Sequence, residues 1–453
     1  MTGASNPEIV STRQQRIAAL ARQSPQMGFT SLNHFIDLPW LHEAYRRTRK
    51  DGAVGVDGQT AADYERNLEA NLQSLLDRAK SGAYHAPPVR RVHIPKGTGT
   101  DTRPIGIPTF EDKVLQRAVV MVLEAIYEQD FYPCSYGFRP GRSAHQALLS
   151  LWEQTTRTAG GWILEVDIRK FFDTLDHAHL RELLQRRVRD GVLLRLIGKW
   201  LNAGVLEDGS VSHPQSGSPQ GGVISPLLAN VYLHYVLDAW FEQDVKPRLR
   251  GRAFLIRYAD DFVVGFTREE DARRVQDVLP KRFGKYGLAI HPDKSRLVPF
   301  HRPDRRPNRS SGSDASGPGT FDLLGFTHVW GQSWTRKGHW VIQRRTARGR
   351  FKRALLAISQ WCRTNRHRSL AEQHQKLCQK IRGHYGYYGI TTNGKALTRF
   401  GSSVNRVWRK WLSRRRAGNA MTWKRFNQIL ARYPLPRPTV VHSVYKARGK
   451  PIT

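Results

Sequence analysis

Residues Leu255–Gly265 read Leu-Ile-Arg-Tyr-Ala-Asp-Asp-Phe-Val-Val-Gly, two apolar runs rich in β-formers around Tyr258-Ala259-Asp260-Asp261. The pattern predicts a strand, a tight turn and a returning strand. Adjacent carboxylates at the tip of an apolar hairpin repel each other unless positive charge sits beside them. A divalent cation with oxygen ligands is the simplest remedy, although an ordinary solvated turn also favours Asp. A second stretch, Ile163–Asp173 (Ile-Leu-Glu-Val-Asp-Ile-Arg-Lys-Phe-Phe-Asp), again embeds a carboxylate in an apolar strand. An Asp leaving a buried strand beside a hairpin with two more could form a two-metal phosphoryl-transfer site. One metal would activate a 3′-hydroxyl and the other would stabilise the leaving pyrophosphate.

These two stretches resemble the palm of reverse transcriptases, in which the Tyr-Ala-Asp-Asp form is typical. The resemblance implies that Asp167, Asp260 and Asp261 are catalytic, and that Asp167, Ile168, Asp260 and Asp261 hold two Mg2+ ions.

The elements that must position them follow in order. Leu38–Arg49 reads as a helix and Lys50–Gly58 as a glycine-rich loop, more often a turn than a phosphate cradle. Tyr64–Lys80 places Leu68, Leu72, Leu75 and Leu76 at helical spacing for packing. Pro87–Pro108 predicts a hairpin about a Gly-Thr-Gly-Thr turn, followed by a helix over Phe110–Ala125. The hairpin resembles the fingers of group II intron reverse transcriptases, which implies that Lys96 and Arg103 grip the incoming triphosphate. Ser135–His145 is similar to another segment of that family, expected along the template channel. A Ser143/His145 nucleophilic pair would lack a third, orienting residue.

Phe172, five residues after Asp167, matches the aromatic that excludes a 2′-hydroxyl in the family, while an ordinary core Phe, such as Phe171, is the other reading. Gln215–Asn230 (Gln-Ser-Gly-Ser-Pro-Gln-Gly-Gly-Val-Ile-Ser-Pro-Leu-Leu-Ala-Asn) is a glycine-rich turn leading into a helix, which suits close approach of backbone to a nucleotide. By resemblance Gln220 contacts the incoming nucleotide; Ser218 stands where the family usually has Thr. Gly287–Ser295 matches the segment whose Lys, here Lys294, lies near the triphosphate. Arg302–Thr320 is rich in Pro, Gly, Ser and Arg and reads as an insertion. Phe321–Phe326 resembles the last palm element.

Charge divides the chain. Of its 453 residues, 73 are Lys or Arg and 38 Asp or Glu, a net charge of +35 with a pI near 10.7. From Gly331 to Thr453 there are 29 bases and one acid, Glu372, so this stretch carries +28 and the first 330 residues only +7. Such an excess self-repels unless a polyanion neutralises it, and nucleic acid is the expected partner. A membrane partner is not expected, since a long apolar run and a lipidation signal are missing from the sequence. Three cysteines, Cys134, Cys362 and Cys378, without a close pair, argue for a reducing cytoplasm and against a disulfide framework or zinc module.

After Trp330, helices are predicted around Phe351, Leu355, Leu356 and Ile358, over Leu370–Ile381 and over Val404–Leu412. Together with Ile381–Gly389 they resemble the thumb, or maturase domain, of group II intron proteins. Aromatics interleaved with Arg can stack on unpaired bases while guanidiniums hold phosphates. On that reading Arg382, Tyr387, Tyr388, Arg414, Arg415 and Arg416 bind RNA, although some aromatics must form core instead.

The sequence is therefore identified as a member of the group II intron-encoded reverse transcriptase/maturase family, bacterial type, without an endonuclease module. The expected fold is α+β, a right-hand polymerase whose fingers and palm carry antiparallel sheet, followed by an α-helical thumb. Residues 1–85 would be an N-terminal extension and the start of the fingers, 86–330 the polymerase domain, 331–420 the thumb, and 421–453 a basic tail that could bind DNA. The implied activity is RNA-directed DNA synthesis from deoxynucleoside triphosphates on an RNA template with a DNA primer. Binding of the parent intron RNA would assist splicing and retrohoming. A free-standing host-adopted reverse transcriptase and an RNA-binding splicing factor with a relic polymerase are the alternatives. The intact Asp167, Asp260 and Asp261 speak against the relic, and the family-like thumb against the free-standing enzyme.

Overall fold

The computed structural model describes residues 7–95, 102–207, 209–212, 217, 221–303, 319–333, 338–415 and 421–443. Lys96, Gln220, Arg416 and most of the Arg302–Thr320 insertion lie outside the described residues.

Strands β1 (Val89–Pro95) and β2 (Thr102–Ile107) form the expected antiparallel hairpin, with Ile94 opposite Arg103. Next come β3 (Trp162–Val166), β4 (Val205–Glu207) and β5 (Ser210–Ser212), with β4 parallel to β1 and β5 antiparallel to β4. The Asp-Asp hairpin consists of β6 (Ala253–Tyr258) and β7 (Asp261–Phe266), followed by β8 (Arg296–Pro299). The last three strands, β9 (Phe321–Leu323), β10 (Phe326–Gln332) and β11 (Trp340–Thr346), are antiparallel throughout. Strand orders in the three sheets are β2-β1-β4-β5, β6-β7-β3-β8 and β11-β10-β9.

Two compact units emerge: 1–147 with 166–264 and 270–296, and 148–165 with 265–269 and 297–453. The first unit is built on the helix Phe110–Asp130, capped by Thr109, whose side chain accepts the Asp112 amide. Its apolar residues run almost all round, so it is buried on most faces. Helices Pro7–Gln23 and Leu38–Arg47 pack against it, and Trp40 Nε1 donates to the Ala118 carbonyl at 2.9 Å. The single helix expected over Tyr64–Lys80 is two, Ala61–Glu65 and Leu68–Ser81. A reciprocal Thr60/Asp63 capping box starts the first, and Asn67 leaves helical geometry between them.

In the second unit, helices Arg348–Thr364, Leu370–Tyr388, Gly394–Leu412 and Trp423–Arg432 enclose a core in which Leu377, Leu397, Phe400, Val404, Trp408 and Phe426 are fully buried. All three predicted helices are present, longer than expected at one or both ends. Leu355 packs on this core, whereas Leu356, also expected to face inward, is exposed. The boundary expected at 421 separates nothing, because Phe426 belongs to the same core and Ile429, Leu430, Tyr433 and Leu435 pack against it. Among the described residues, no helix is long and apolar enough to cross a membrane. Cys134, Cys362 and Cys378 are free thiols, all buried.

Candidate active site

The turn between β6 and β7 is held in a conformation that side chains resist. Ala259 has φ of +57°, in the left-handed region that L-residues rarely occupy. Its carbonyl accepts from Arg257 Nη1 at 3.1 Å. Arg257 is wholly buried in a strand that is otherwise apolar, and Asp238 neutralises it at 2.5 Å. Asn230, from the Gln215–Asn230 motif, accepts from Arg257 at 2.9 Å and donates to the Gly137 carbonyl at 2.7 Å.

Gly137 is needed for close approach, since a Cβ there would stand 2.3 Å from the Ala259 nitrogen. Tyr136 N donates to the Arg257 carbonyl at 2.9 Å and Arg257 N to that of Cys134 at 2.8 Å. Arg139 locks the same segment through Glu128 and the carbonyls of Tyr132 and Ser135. Ser135–His145 therefore braces the carboxylate turn. Ser143 caps the next helix, its Oγ accepting from Gln146 N while Gln146 Oε1 takes the Ser143 amide at 2.7 Å. That reciprocal cap gives Ser143 a structural role at the start of the helix.

Asp167 follows β3 directly. Its amide donates to Ser295 Oγ at 3.1 Å, its carbonyl accepts from His291 N at 2.8 Å, and Ile168 bridges Ile290. Gly287–Ser295 is thereby laid along the carboxylate strand, and Lys294 Nζ comes within 3.4 Å of Asp167 Oδ2. Burial pushes the Asp260 carboxyl above its ordinary pKa, and the nearby Asp167 charge adds to this, while Arg103 and Arg257 oppose it. Asp167, Asp260, Arg103 and Lys294 thus share one electrostatic neighbourhood, with Asp261 exposed at the start of β7.

The donor set consists of hard carboxylate oxygens. Among the described residues no group of three or more His, Cys, Asp or Glu side chains, the expected Asp167, Asp260 and Asp261 included, is placed to hold a metal ion by itself. An open pair of carboxylates fits Mg2+, which commonly keeps waters and substrate oxygens rather than entering an all-protein cage. The mutual repulsion of Asp167 and Asp260 is what such a cation relieves.

Phe171 is buried, in a T-shaped contact with Tyr232 at 6.4 Å, and Phe172 is also counted among the buried residues. Phe172 lies beside it, 9% exposed, at the start of a short helix, Phe171–Thr174. Gly217, with φ of +94°, comes so close that a Cβ there would sit 2.9 Å from the Phe172 carbonyl. Beyond residues 218–220, a Cβ on Gly221 would meet the Gly106 carbonyl on β2 at 2.5 Å. The glycine motif therefore touches both the Phe172 turn and the hairpin that carries Arg103.

The expected RNA-binding residues divide. Arg382 is exposed, and Arg414 is exposed over the Trp411 ring at 4.9 Å. Arg415 instead donates to the carbonyls of Arg366 and Arg368, both at 2.5 Å. Tyr387 and Tyr388 are half-buried against Phe326, with ring centres 5.8 and 5.2 Å away, and the Tyr387 hydroxyl donates to the Leu324 carbonyl. These two rings are packing residues, contrary to the expectation of open stacking platforms. Arg257, Asp238 and Gly137 escaped sequence reasoning; the one available signal was a lone Arg inside an apolar strand.

Residues 94–328 match the family model described as reverse transcriptase (RNA-dependent DNA polymerase). Protein YkfC of Escherichia coli (strain K12) is 38% identical over 288 residues, covering 56% of this chain and 75% of YkfC. The group II intron-encoded protein LtrA of Lactococcus lactis subsp. cremoris is 38% identical over 223 residues, 49% of this chain and 37% of LtrA. A 91 kDa protein in the cob intron of Schizosaccharomyces pombe is 40% identical over 171 residues, 38% of this chain and 21% of that protein. The order of carboxylate strand, glycine motif and Asp-Asp hairpin lies wholly inside the matched region, and the chain belongs to the reverse transcriptase family, with the group II intron-encoded proteins among its relatives.

Proposed function

We propose that the chain is an RNA-directed DNA polymerase that binds its parent group II intron RNA, assists its splicing and copies it into DNA. The observation that carries the reading is the shared field of Asp167 and Asp260, with Arg103 and Lys294 bringing positive charge to the same place. Asp167 and Asp260 would hold Mg2+ through carboxylate oxygens, with Asp261 and the Ile168 backbone beside them. Bound there, two metals supply Lewis-acid activation of the primer 3′-hydroxyl and charge neutralisation at the leaving pyrophosphate. Arg103 and Lys294, with Lys96, grip the triphosphate of a deoxynucleotide. Gln220 orients its base and sugar, and Phe172 stands against a 2′-hydroxyl.

The intron half of the reading rests on charge and kinship. With 29 bases against one acid after residue 330, the second unit needs a polyanion. Relatives named for introns make intron RNA the polyanion of choice.

The test separates chemistry from binding. Asp260→Ala with Asp261→Ala should abolish extension of a DNA primer on an RNA template and leave intron RNA affinity within about twofold, since a few carboxylates add nothing to phosphate contacts. Full extension by that variant overturns the site. Equal affinity of the parent chain for its intron and for a scrambled RNA of the same length overturns the intron reading.

A further inference from the structure

Two π-helical stretches, His234–Asp238 and Trp240–Val245, border a cavity of about 680 Å3 in the first unit. Asp167, Asp260 and Asp261 are not among its lining residues, so it is separate from the carboxylate site. A π-helical turn displaces carbonyls from the regular ladder and is frequent at functional sites. Here Arg282 satisfies two of them, donating to Val236 O at 3.0 Å and Tyr235 O at 3.1 Å, with its guanidinium 5.7 Å from the Trp240 ring centre.

Charge and ring faces meet in this cavity. Four arginines and two aspartates line it, and Asp130, one of the two, is already held by Arg187 at 2.8 Å. Arg186 is exposed, its guanidinium 4.9 Å from the Tyr235 ring centre. Guanidinium groups of this kind match phosphate geometry. Tyr132, Tyr235 and Trp240 supply aromatic surface, on which bases of any sequence stack. His234, another lining residue, is 5% exposed, and its Nδ1 is buried without a hydrogen-bond partner. Burial holds its pKa down near 4, so the ring is neutral. The volume lies within the range of small-ligand sites, about 300–1,000 Å3.

We propose that this cavity binds a nucleotide, a 5′-nucleoside monophosphate unit offered either free or as an unpaired residue of a bound RNA strand. Arg186 meets the phosphate, and the rings of Tyr235 and Trp240 offer the base a surface to stack on. The proposal does not rest on the polymerase reading, because its residues lie outside the carboxylate site.

Photoaffinity labelling of the full chain tests it, with 8-azidoadenosine 5′-monophosphate and an oligo(rA) hexamer carrying one 8-azidoadenosine as the probes. Adducts on the peptide spanning Tyr235–Trp240 are expected. Labelling by the mononucleotide identifies a free-nucleotide site, and labelling by the hexamer alone identifies RNA as the source. Arg186→Glu should reduce that labelling roughly tenfold or more, with an unchanged melting temperature and unchanged extension of a primed template. If Arg186→Glu lowers the melting temperature, Arg186→Gln makes the comparison. No adduct on that peptide with either probe, or labelling that survives the folded Arg186 variant at full strength, overturns the proposal. Loss of the polymerase reading would show separately, as failure of the parent chain to extend.

Discussion

Arg257 and Asp238 face each other with neither side chain exposed, Nη2 to Oδ2 at 2.5 Å and Nε to Oδ1 at 2.7 Å. The remaining nitrogen of that guanidinium reaches the Ala259 carbonyl and Asn230. A buried ion pair adds little net stability over apolar residues of similar size, but removing one partner strands a charge. Its contribution here is to fix a left-handed residue directly before Asp260.

Asp238→Ala should therefore lower the unfolding free energy by about 3–5 kcal/mol in urea titrations. Arg257→Met with Asp238→Leu should recover most of that loss, because no charge is left behind. The double variant still lacks the donor to Ala259, so primer extension should stay well below the parent at a temperature where both are folded. Parent-like extension by the double variant would show that the turn does not need Arg257.

Phe172 sets the sugar choice on the proposed reading, and Gly217 sets Phe172. Replacing Phe172 with Val should raise ribonucleotide over deoxyribonucleotide incorporation by between about 10- and 200-fold, the range for a lost steric contact in a pocket. Gly217→Ala puts a Cβ 2.9 Å from the Phe172 carbonyl at φ of +94°, so the turn must shift, and the same ratio should move. Phe171→Leu should cost stability without moving it. Incorporation efficiencies measured with both substrates on one template decide the matter, and a constant ratio in Phe172→Val leaves that ring as core.

What was legible in the sequence was local. The β6–β7 hairpin follows from two runs of β-formers around a turn, and the fingers hairpin from Pro, Gly and Thr at its ends. The order of carboxylate motifs was visible because each is contiguous. Tyr387 and Tyr388 were misread because aromatics among basic residues look alike whether they stack on RNA or pack inward. Phe326, against which both rings pack, lies far upstream on a strand, whereas the tyrosines end a helix. Arg415 was misread for the same reason, since its partners are the carbonyls of Arg366 and Arg368 in a loop between helices.

That difference between two neighbouring arginines is measurable. Arg414→Gln should leave the melting temperature unchanged and flatten the slope of log affinity against log salt by about 0.7–0.9 of a unit if Arg414 meets one phosphate. Arg415→Gln should instead lower the melting temperature, as two backbone carbonyls lose a charged donor, at about 1.5–3 kcal/mol per bond before relaxation. Identical salt slopes in Arg414→Gln and the parent would remove Arg414 from the RNA contacts.

Asp112 gives a pH dependence whose sign follows from burial alone. Its side chain is 1% exposed in the long central helix, and Oδ1 accepts from Trp200 Nε1 at 3.2 Å. Burial raises its pKa from 3.8 to about 7. The folded chain therefore binds more protons at this residue than the unfolded chain does between those values, and stability falls as pH rises through that window. Below about pH 4 both states are protonated, and above about pH 7 both are ionised, so the contribution is flat outside it. The full drop is at most about 4 kcal/mol. Asp112→Asn, a neutral acceptor of the same shape, should match the parent near pH 4 and exceed it increasingly up to pH 7. Urea midpoints for the two proteins across that range provide the measurement. Parallel profiles would mean that the buried carboxyl is ionised throughout, and that Trp200 with its surroundings solvates the charge better than burial penalises it.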